Sequence, residues 1–578
     1  MRTFLLKRIF SYMKPYRANF YVGCFAAVFQ VGFTLAIPVL IGKCIDCLLG
    51  AGQVDFSHLI TLLLLMAVSI LLACGFQWLM NVCIRKISAR AAQDMRQQAF
   101  NNLNMVPLST IDKTPHGDFV SRLVNDADAV SEGLLQGLTQ LLPGAATILG
   151  VLFIMFYLNF FIALIVVLVT PLSILFARFV ARRTHSLFKK QAQAQGVLSS
   201  YVDEMVGSQD LVKAFGYEES CYHHFDEINK ELRSASLWAV FYSAIVNPGT
   251  RFVNNIVYAS VGVFGSLAAL NGALSVGTLS AFLTYANQYT KPFNEVSSVL
   301  TQLQTALASA HRLFQVIDLE PEPADSPKAL SPAQCSGQVD IEHMDFSYRK
   351  DIPLIQDFNL HVTPGQRIAI VGPTGCGKTT LINLLMRFYD INRGQICVDG
   401  IPIQQLKRSS LRSMYGMVLQ ETWLKSATIR ENIAYGSPDA TLEQITESAK
   451  AAHAHSFIMR LPQGYDTVIA PGGGNLSAGQ KQLLCIARIL LCHPDMLILD
   501  EATSNIDTRT EMLVQAAFDR LMIGRTSFVV AHRLSTIQSA DMILVMNNGR
   551  IVEQGTHEEL LAQGGFYANL YNSQFAVQ

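Results

Sequence analysis

Gly372-Pro373-Thr374-Gly375-Cys376-Gly377-Lys378-Thr379-Thr380 decides the fold of the C-terminal part of this 578-residue chain. The stretch follows an apolar, strand-like run, Arg367 to Val371, and precedes a helix-like run, Leu381 to Phe388, which is the setting a phosphate-binding loop requires. Gly372, Gly375 and Gly377 let the backbone turn tightly, so that successive N–H groups face phosphate oxygens and the following helix adds the positive end of its dipole. In that arrangement Lys378 reaches the terminal phosphates and Thr379 offers its hydroxyl to Mg2+, while Pro373, Thr374, Cys376 and Thr380 complete the loop.

Downstream, Met496-Leu497-Ile498-Leu499-Asp500-Glu501 reads as a buried parallel strand that ends in two acids. A buried strand has no structural reason to finish on paired carboxylates. Asp500 is placed to hold Mg2+ through its water shell, and Glu501 to act as the general base that polarises an attacking water. A further apolar strand, Ser527 to Val530, leads to Ala531-His532-Arg533, where His532 can contact the terminal phosphate. Between the phosphate loop and these acids lies a second anion grip, Asn475-Leu476-Ser477-Ala478-Gly479-Gln480, at the start of the amphipathic run Lys481 to Leu491.

With these elements in this order, residues 338 to 578 resemble the nucleotide-binding domain of an ABC transporter. The resemblance implies ATP and Mg2+ as cofactors and adds roles to residues that composition would not single out. Tyr348, in Asp345-Phe346-Ser347-Tyr348, matches the aromatic that stacks on adenine. Gln420, ending Met417-Val418-Leu419-Gln420, matches the glutamine that senses Mg2+ and the attacking water. Asp507 closes the match to the D-loop, Ser504-Asn505-Ile506-Asp507. Ser477, Ala478, Gly479 and Gln480 match the signature that binds the terminal phosphate of ATP held by the opposite subunit. A chain with one such domain therefore works as one of two.

The N-terminal part has a different composition. Half of all residues are hydrophobic and only 15% charged, and the apolar material is concentrated before residue 310. Runs near residues 18 to 41, 58 to 80, 138 to 158, 161 to 180, 238 to 269 and 275 to 300 each approach the ~20 residues that cross a bilayer core. Asn159 marks a hairpin between the third and fourth. Lys and Arg cluster before the first run, between the second and third, and between the fourth and fifth, whereas the loops near 50 to 57, 159 to 160 and 270 to 274 have none. That asymmetry predicts a multi-pass protein of the plasma (inner) membrane with the nucleotide-binding domain in the cytoplasm. The segment Arg2 to Lys14 reads as a basic amphipathic interfacial helix rather than a signal peptide.

The predicted architecture is an all-α domain of six membrane-spanning helices with long cytoplasmic extensions (residues 1–318), a Pro-rich linker (319–337) and an α/β P-loop ATPase domain (338–578). Ile111 to Asp118 with Ser121-Arg122-Leu123, and Asp210 to Glu218, resemble the two coupling regions of exporter-type half-transporters. The expected function is ATP-driven export of an amphipathic or hydrophobic substrate, a drug, lipid or peptide. An exporter-shaped importer of a siderophore-like ligand and a membrane-tethered ATPase without transport are the alternatives. Zero net charge and the lack of a basic, aromatic-interleaved patch argue against nucleic acid.

Two departures from the family pattern carry weight. The signature has Ala478 where the family usually has glycine, and Ala470-Pro471-Gly472-Gly473-Gly474 lacks the acid expected upstream. Among heterodimeric relatives an intact catalytic glutamate often accompanies an altered signature, which favours a heterodimer here over a homodimer. Arg251 and Lys291, in the last two spans, read as snorkelling cations or as cavity residues. Asn247-Pro248-Gly249 is expected to loosen the fifth span, and Cys376 to make ATP binding sensitive to bulky thiol reagents.

Overall fold

The computed structural model describes residues 2–48, 54–332, 334–349, 351–419, 422–500, 507–531 and 534–574. The chain divides into two compact units, Met1–Met105 with Thr114–Glu320, and Val106–Lys113 with Pro321–Gln578.

Helix α1 (Arg2–Met13) opens the chain, followed by α2 (Arg17–Asp46), α3 (Phe56–Leu103), α4 (Leu108–Ile111), α5 (His116–Ser121), α6 (Ala127–Leu158), α7 (Phe160–Gly207), α8 (Gln209–Ala214), α9 (Glu218–Leu270) and α10 (Val276–Ile317). The six long helices carry the six apolar runs. At 48, 48 and 53 residues, α3, α7 and α9 extend far beyond the ~20 needed to cross a bilayer core. The most apolar windows of Thr3–Asp46, Phe56–Leu103 and His116–Leu158 have mean hydropathies of 2.2, 2.7 and 2.2, yet only 33%, 17% and 11% of each is buried. Apolar surface exposed on that scale suits lipid, not water.

Local chemistry sets the helix ends. Asn159 is extended (φ −159°, ψ 116°) and its side chain accepts the Ile162 N–H at 3.1 Å, which separates α6 from α7 and caps the latter. Asp46 accepts from the Gly277 N–H and the Ser275 hydroxyl, both at 2.7 Å, at the start of α10. There α2 and α10 touch through glycine: a Cβ on Gly277 would lie 1.9 Å from the Gly42 carbonyl oxygen. Helix α9 stays helical through Pro248, so the expected loosening reduces to the amide hydrogen that proline lacks. In α1, Leu5, Ile9 and Met13 are buried while Phe4 and Phe10 are exposed, and Arg8 forms a two-pronged pair with Asp318 at 2.5 and 2.6 Å.

Asp126, only 7% exposed, ends a π-helical turn (Arg122–Asp126) and is held by both prongs of Arg312. Removing the guanidinium strands a buried carboxylate. Arg312→Ala is expected to destabilise the membrane unit by about 2 kcal/mol, discounted because Arg312 is itself half-exposed, and to lower its thermal unfolding midpoint.

The second unit is built on two sheets. Strands β1 (Val339–Phe346), β2 (Ile355–Val362), β4 (Arg393–Val398) and β5 (Ile401–Pro402) form an antiparallel sheet in the order β2-β1-β4-β5. Strands β3 (Arg367–Val371), β6 (Tyr415–Val418), β7 (Met496–Asp500), β8 (Thr526–Val530), β9 (Met542–Asn547) and β10 (Arg550–Gly555) form the other, in the order β10-β9-β3-β8-β7-β6, parallel except for β10. Strands β3, β7 and β8 are nearly continuous apolar runs because both faces are buried, one against the antiparallel sheet and its helices and the other against helices. The helices are α11 (Lys378–Leu385), α12 (Arg408–Met414), α13 (Ile429–Ile433), α14 (Leu442–Ala451), α15 (His455–Ile458), α16 (Ala478–Cys492), α17 (Thr508–Met522), α18 (Leu534–Gln538), α19 (His557–Gln563) and α20 (Phe566–Gln574).

The Pro-rich stretch after residue 320 is fastened to this unit rather than free. Arg408, 8% exposed, lies 2.9 Å from Asp325 and 3.3 Å from Glu322, and donates to the Pro323 carbonyl at 2.7 Å. Arg412 holds Glu322 from a second direction at 2.7 Å.

Candidate functional site

Strand register fixes the site. Ile370 of β3 pairs with Val530 of β8, Val530 with Asp500 of β7, and Leu499 with Val418 of β6. At ~4.8 Å per strand these carboxyl ends form a row about 15 Å long, the side on which open parallel sheets bind ligands. The chain leaves this row at Gly372, Ala531, Asp500 and Leu419. His532, Glu501 and Gln420 follow directly on the last three, and all lie outside the described residues.

The phosphate loop needs its glycines. Gly375 and Gly377 have φ of 83° and 107°, in the left-handed region. At Gly372 an added Cβ would lie 2.2 Å from the Met546 carbonyl oxygen of β9 and 2.9 Å from the Cys376 sulfur. Lys378 opens α11, and its ammonium donates to the carbonyls of Gly372 at 2.7 Å and Pro373 at 3.1 Å, which arches the side chain back over the loop. Pro373, Thr374 and Gly375 are exposed at its crest. The Thr379 side is exposed too, whereas Thr380 is buried and its hydroxyl lies 3.2 Å from that of Tyr348. Tyr348 is thereby brought against the phosphate loop although it lies 32 positions before Thr380 in the chain.

The Cys376 side chain is buried, 3% exposed, in the core beneath the loop, and burial pushes its thiol pKa up, partly offset by Lys378. A buried thiol with a smaller thiolate fraction is a poor nucleophile, so the expected reagent sensitivity is corrected. In the native chain at pH 7.5, timed maleimide labelling read by mass spectrometry is expected to modify exposed Cys492 well before Cys376.

The second grip is a helix N-terminus. Ser477 caps α16: its hydroxyl accepts the Gln480 N–H at 3.3 Å, and the Gln480 side chain accepts the Ser477 N–H at 3.0 Å. Ser477 and Ala478 are exposed and Gly479 is buried, so the Ala478 methyl leaves the backbone amides of this turn accessible. Asp507 caps α17 by accepting the Thr510 N–H at 2.9 Å, and that bond and the Thr510 side chain lower its carboxyl pKa. Ser504, Asn505 and Ile506 lie outside the described residues.

One participant was not legible in the sequence. Tyr389 packs perpendicular to Tyr348 with ring centroids 4.9 Å apart, and it donates to Asp112. Residues 388 to 390, Phe-Tyr-Asp, carry no pattern that separates this tyrosine from ordinary core.

Residues 20–293 match the family described as ABC transporter transmembrane region, and residues 355–504 match that described as ABC transporter. The chain belongs to the ABC transporter family. A fatty acid ABC transporter ATP-binding/permease protein of Mycobacterium tuberculosis is 42% identical over 521 residues, 89% of this chain and 82% of that protein. An ATP-dependent lipid A-core flippase of Syntrophus aciditrophicus is 34% identical over 574 residues, 99% of this chain and 95% of its own length. Among solved structures, a bacterial Atm1-family ABC exporter with ATP bound superposes with a TM-score of 0.78 at 29% identity, covering 97% of this chain and 98% of that one.

This ABC protein is an exporter-type half-transporter, a multi-pass membrane domain fused to one ATP-binding ATPase domain whose turnover is coupled to transport. A half-transporter implies a second half. The glycine cradle, the Lys378 ammonium and the α11 N-terminus fit the phosphates of ATP.

Proposed function

We propose that this chain and a second half-transporter form an ATP-driven exporter of an amphipathic or hydrophobic substrate, with a lipid-like molecule first among candidates. The observation that carries the reading is the row of strand ends, which gathers the attachment points of Gly372, His532, Glu501 and Gln420 beside one phosphate loop.

In this reading Lys378 and the loop amides hold the β- and γ-phosphates, and Tyr348 stacks on adenine. Thr379 and Asp500 would hold Mg2+, which supplies positive charge against the terminal phosphates. Glu501 accepts the proton of the attacking water, Gln420 orients that water, and His532 contacts the departing phosphate. Ser477, with the amides of Ala478 and Gly479, serves ATP held on the other subunit, through the helix dipole and capped turn. Binding two ATPs between two such domains draws them together, and hydrolysis releases them.

The altered signature favours a heterodimer in which this chain supplies the catalytic glutamate. The distribution of Lys and Arg favours the plasma membrane with the ATPase domain on the cytoplasmic side. For the substrate, two relatives named for a fatty acid and for lipid A, together with apolar membrane helices, favour a lipid-like amphiphile.

The test is Mg-ATP hydrolysis by the full chain in lipid nanodiscs, titrated with fatty acids, phospholipids and cationic amphiphiles, with oligomeric state recorded alongside. At least one class is expected to raise turnover several-fold. Turnover indifferent to all three would remove the support for an amphiphilic substrate. A silent single-species preparation, restored by adding a second half-transporter, is the heterodimer result, and full activity in a homodimer the opposite.

A further inference from the structure

Tyr348 is 45% exposed and sits on the loop after β1, so its ring needs bracing from outside its own segment. The structure supplies that bracing at three points. Phe346 packs perpendicular to it at 5.0 Å, its hydroxyl lies 3.2 Å from that of Thr380, and Tyr389 packs perpendicular at 4.9 Å. Such contacts fix a ring's tilt as well as its place. Tyr389 itself is aimed by two features. Arg387 takes a left-handed turn (φ 49°) that carries Phe388 and Tyr389 off the end of α11, and its guanidinium secures the turn on the Ile403 carbonyl at 3.0 Å. The Tyr389 hydroxyl then donates to the carboxylate of Asp112, the residue that ends α4. Burial and this bond push the Tyr389 pKa up, so it stays a donor.

Asp112 belongs to the first cytoplasmic loop, whose residues Val106–Lys113 cluster with the ATPase unit. We propose that Tyr389 is a positioning residue for the adenine-binding tyrosine and that Asp112 holds it, so that this loop and the base platform are set together. The proposal rests on the reading of Tyr348 as that platform. A loop displacement that breaks the Asp112 bond slackens Tyr389 and Tyr348 and weakens base binding; by reciprocity, bound ATP stabilises the loop in its docked position. Because the platform contributes binding rather than chemistry, the effect falls on KM.

The experiment is steady-state ATPase of the full chain in lipid nanodiscs against ATP concentration, for Tyr389→Phe, Asp112→Ala, the double variant and Tyr348→Ala. Tyr389→Phe keeps the ring and loses only the donor, so KM is expected to rise about fivefold with kcat changed less than about twofold. Asp112→Ala is expected to match it. The double variant is expected to stay at about fivefold, where independent roles would multiply to about twenty-five. A purely structural role would instead lower the unfolding midpoint of the nucleotide-free single variants, which is expected to hold. Multiplicative KM effects, or an unchanged KM in Tyr389→Phe beside a raised one in Tyr348→Ala, overturn the proposal alone. An unchanged KM in Tyr348→Ala overturns the platform reading and the proposal with it.

Discussion

Glu501→Gln is expected to leave ATP binding intact and to slow hydrolysis at its own site by about a hundredfold to ten-thousandfold, the usual span for removing a general base. Strand β7 is fully buried from Met496 to Leu499 and meets water only at Asp500. Strand β7 lies two strands from β3, which leads into the phosphate loop, and Glu501 is the residue that follows it in sequence. Glutamine keeps the volume and the hydrogen-bonding reach of glutamate but cannot accept the proton. ATP therefore binds, the paired domains close, and the closed state persists. Single-turnover hydrolysis and trapped nucleotide, measured on the same preparation, check both halves of that expectation. Unchanged turnover with the partner site also disabled would remove Glu501 from the mechanism.

Lys378→Ala has the second large effect, exerted on binding. The ammonium touches the carbonyls of both Gly372 and Pro373, so it supports the arch of the loop as well as presenting charge to the phosphates. Losing the charge-assisted contacts that the ammonium would make to the β- and γ-phosphates corresponds to about a hundredfold or more in affinity. Nucleotide binding to the full-length variant is expected to fall by that factor while the unfolding midpoint without nucleotide moves little, because α11 is anchored by Leu381, Ile382, Leu384 and Leu385 in the core. Wild-type affinity in this variant would mean that the loop amides alone hold the phosphates.

Local chemistry made much of this molecule readable. Glycines at fixed offsets between an apolar strand and a helix announce a phosphate loop, because few other backbones can form one. Apolar runs of bilayer length announce spans, and Asn159 announces the break between two of them. The start of an amphipathic run announces the helix N-terminus at Ser477, which caps α16. What escaped was whatever depends on partners distant in sequence. Asp112 and Tyr389 are 277 residues apart. The Pro-rich stretch reads as a loose joint until Arg408 and Arg412 are found gripping Glu322 and Asp325. Cys376 looks reactive by its position in the loop, and only the core beneath shows which way its sulfur turns. Asp507, named from resemblance, spends its carboxylate on its own helix.

ATP-driven export of a lipid-like molecule is tested by movement of a fluorescent phospholipid between the leaflets of proteoliposomes that hold the full chain, purified by a tag on this chain so that any partner travels with it. Redistribution is expected to require Mg-ATP and to disappear with Lys378→Ala. Redistribution at the same rate in Lys378→Ala, or none at all while the wild-type chain hydrolyses ATP at a rate no lipid alters, would contradict it.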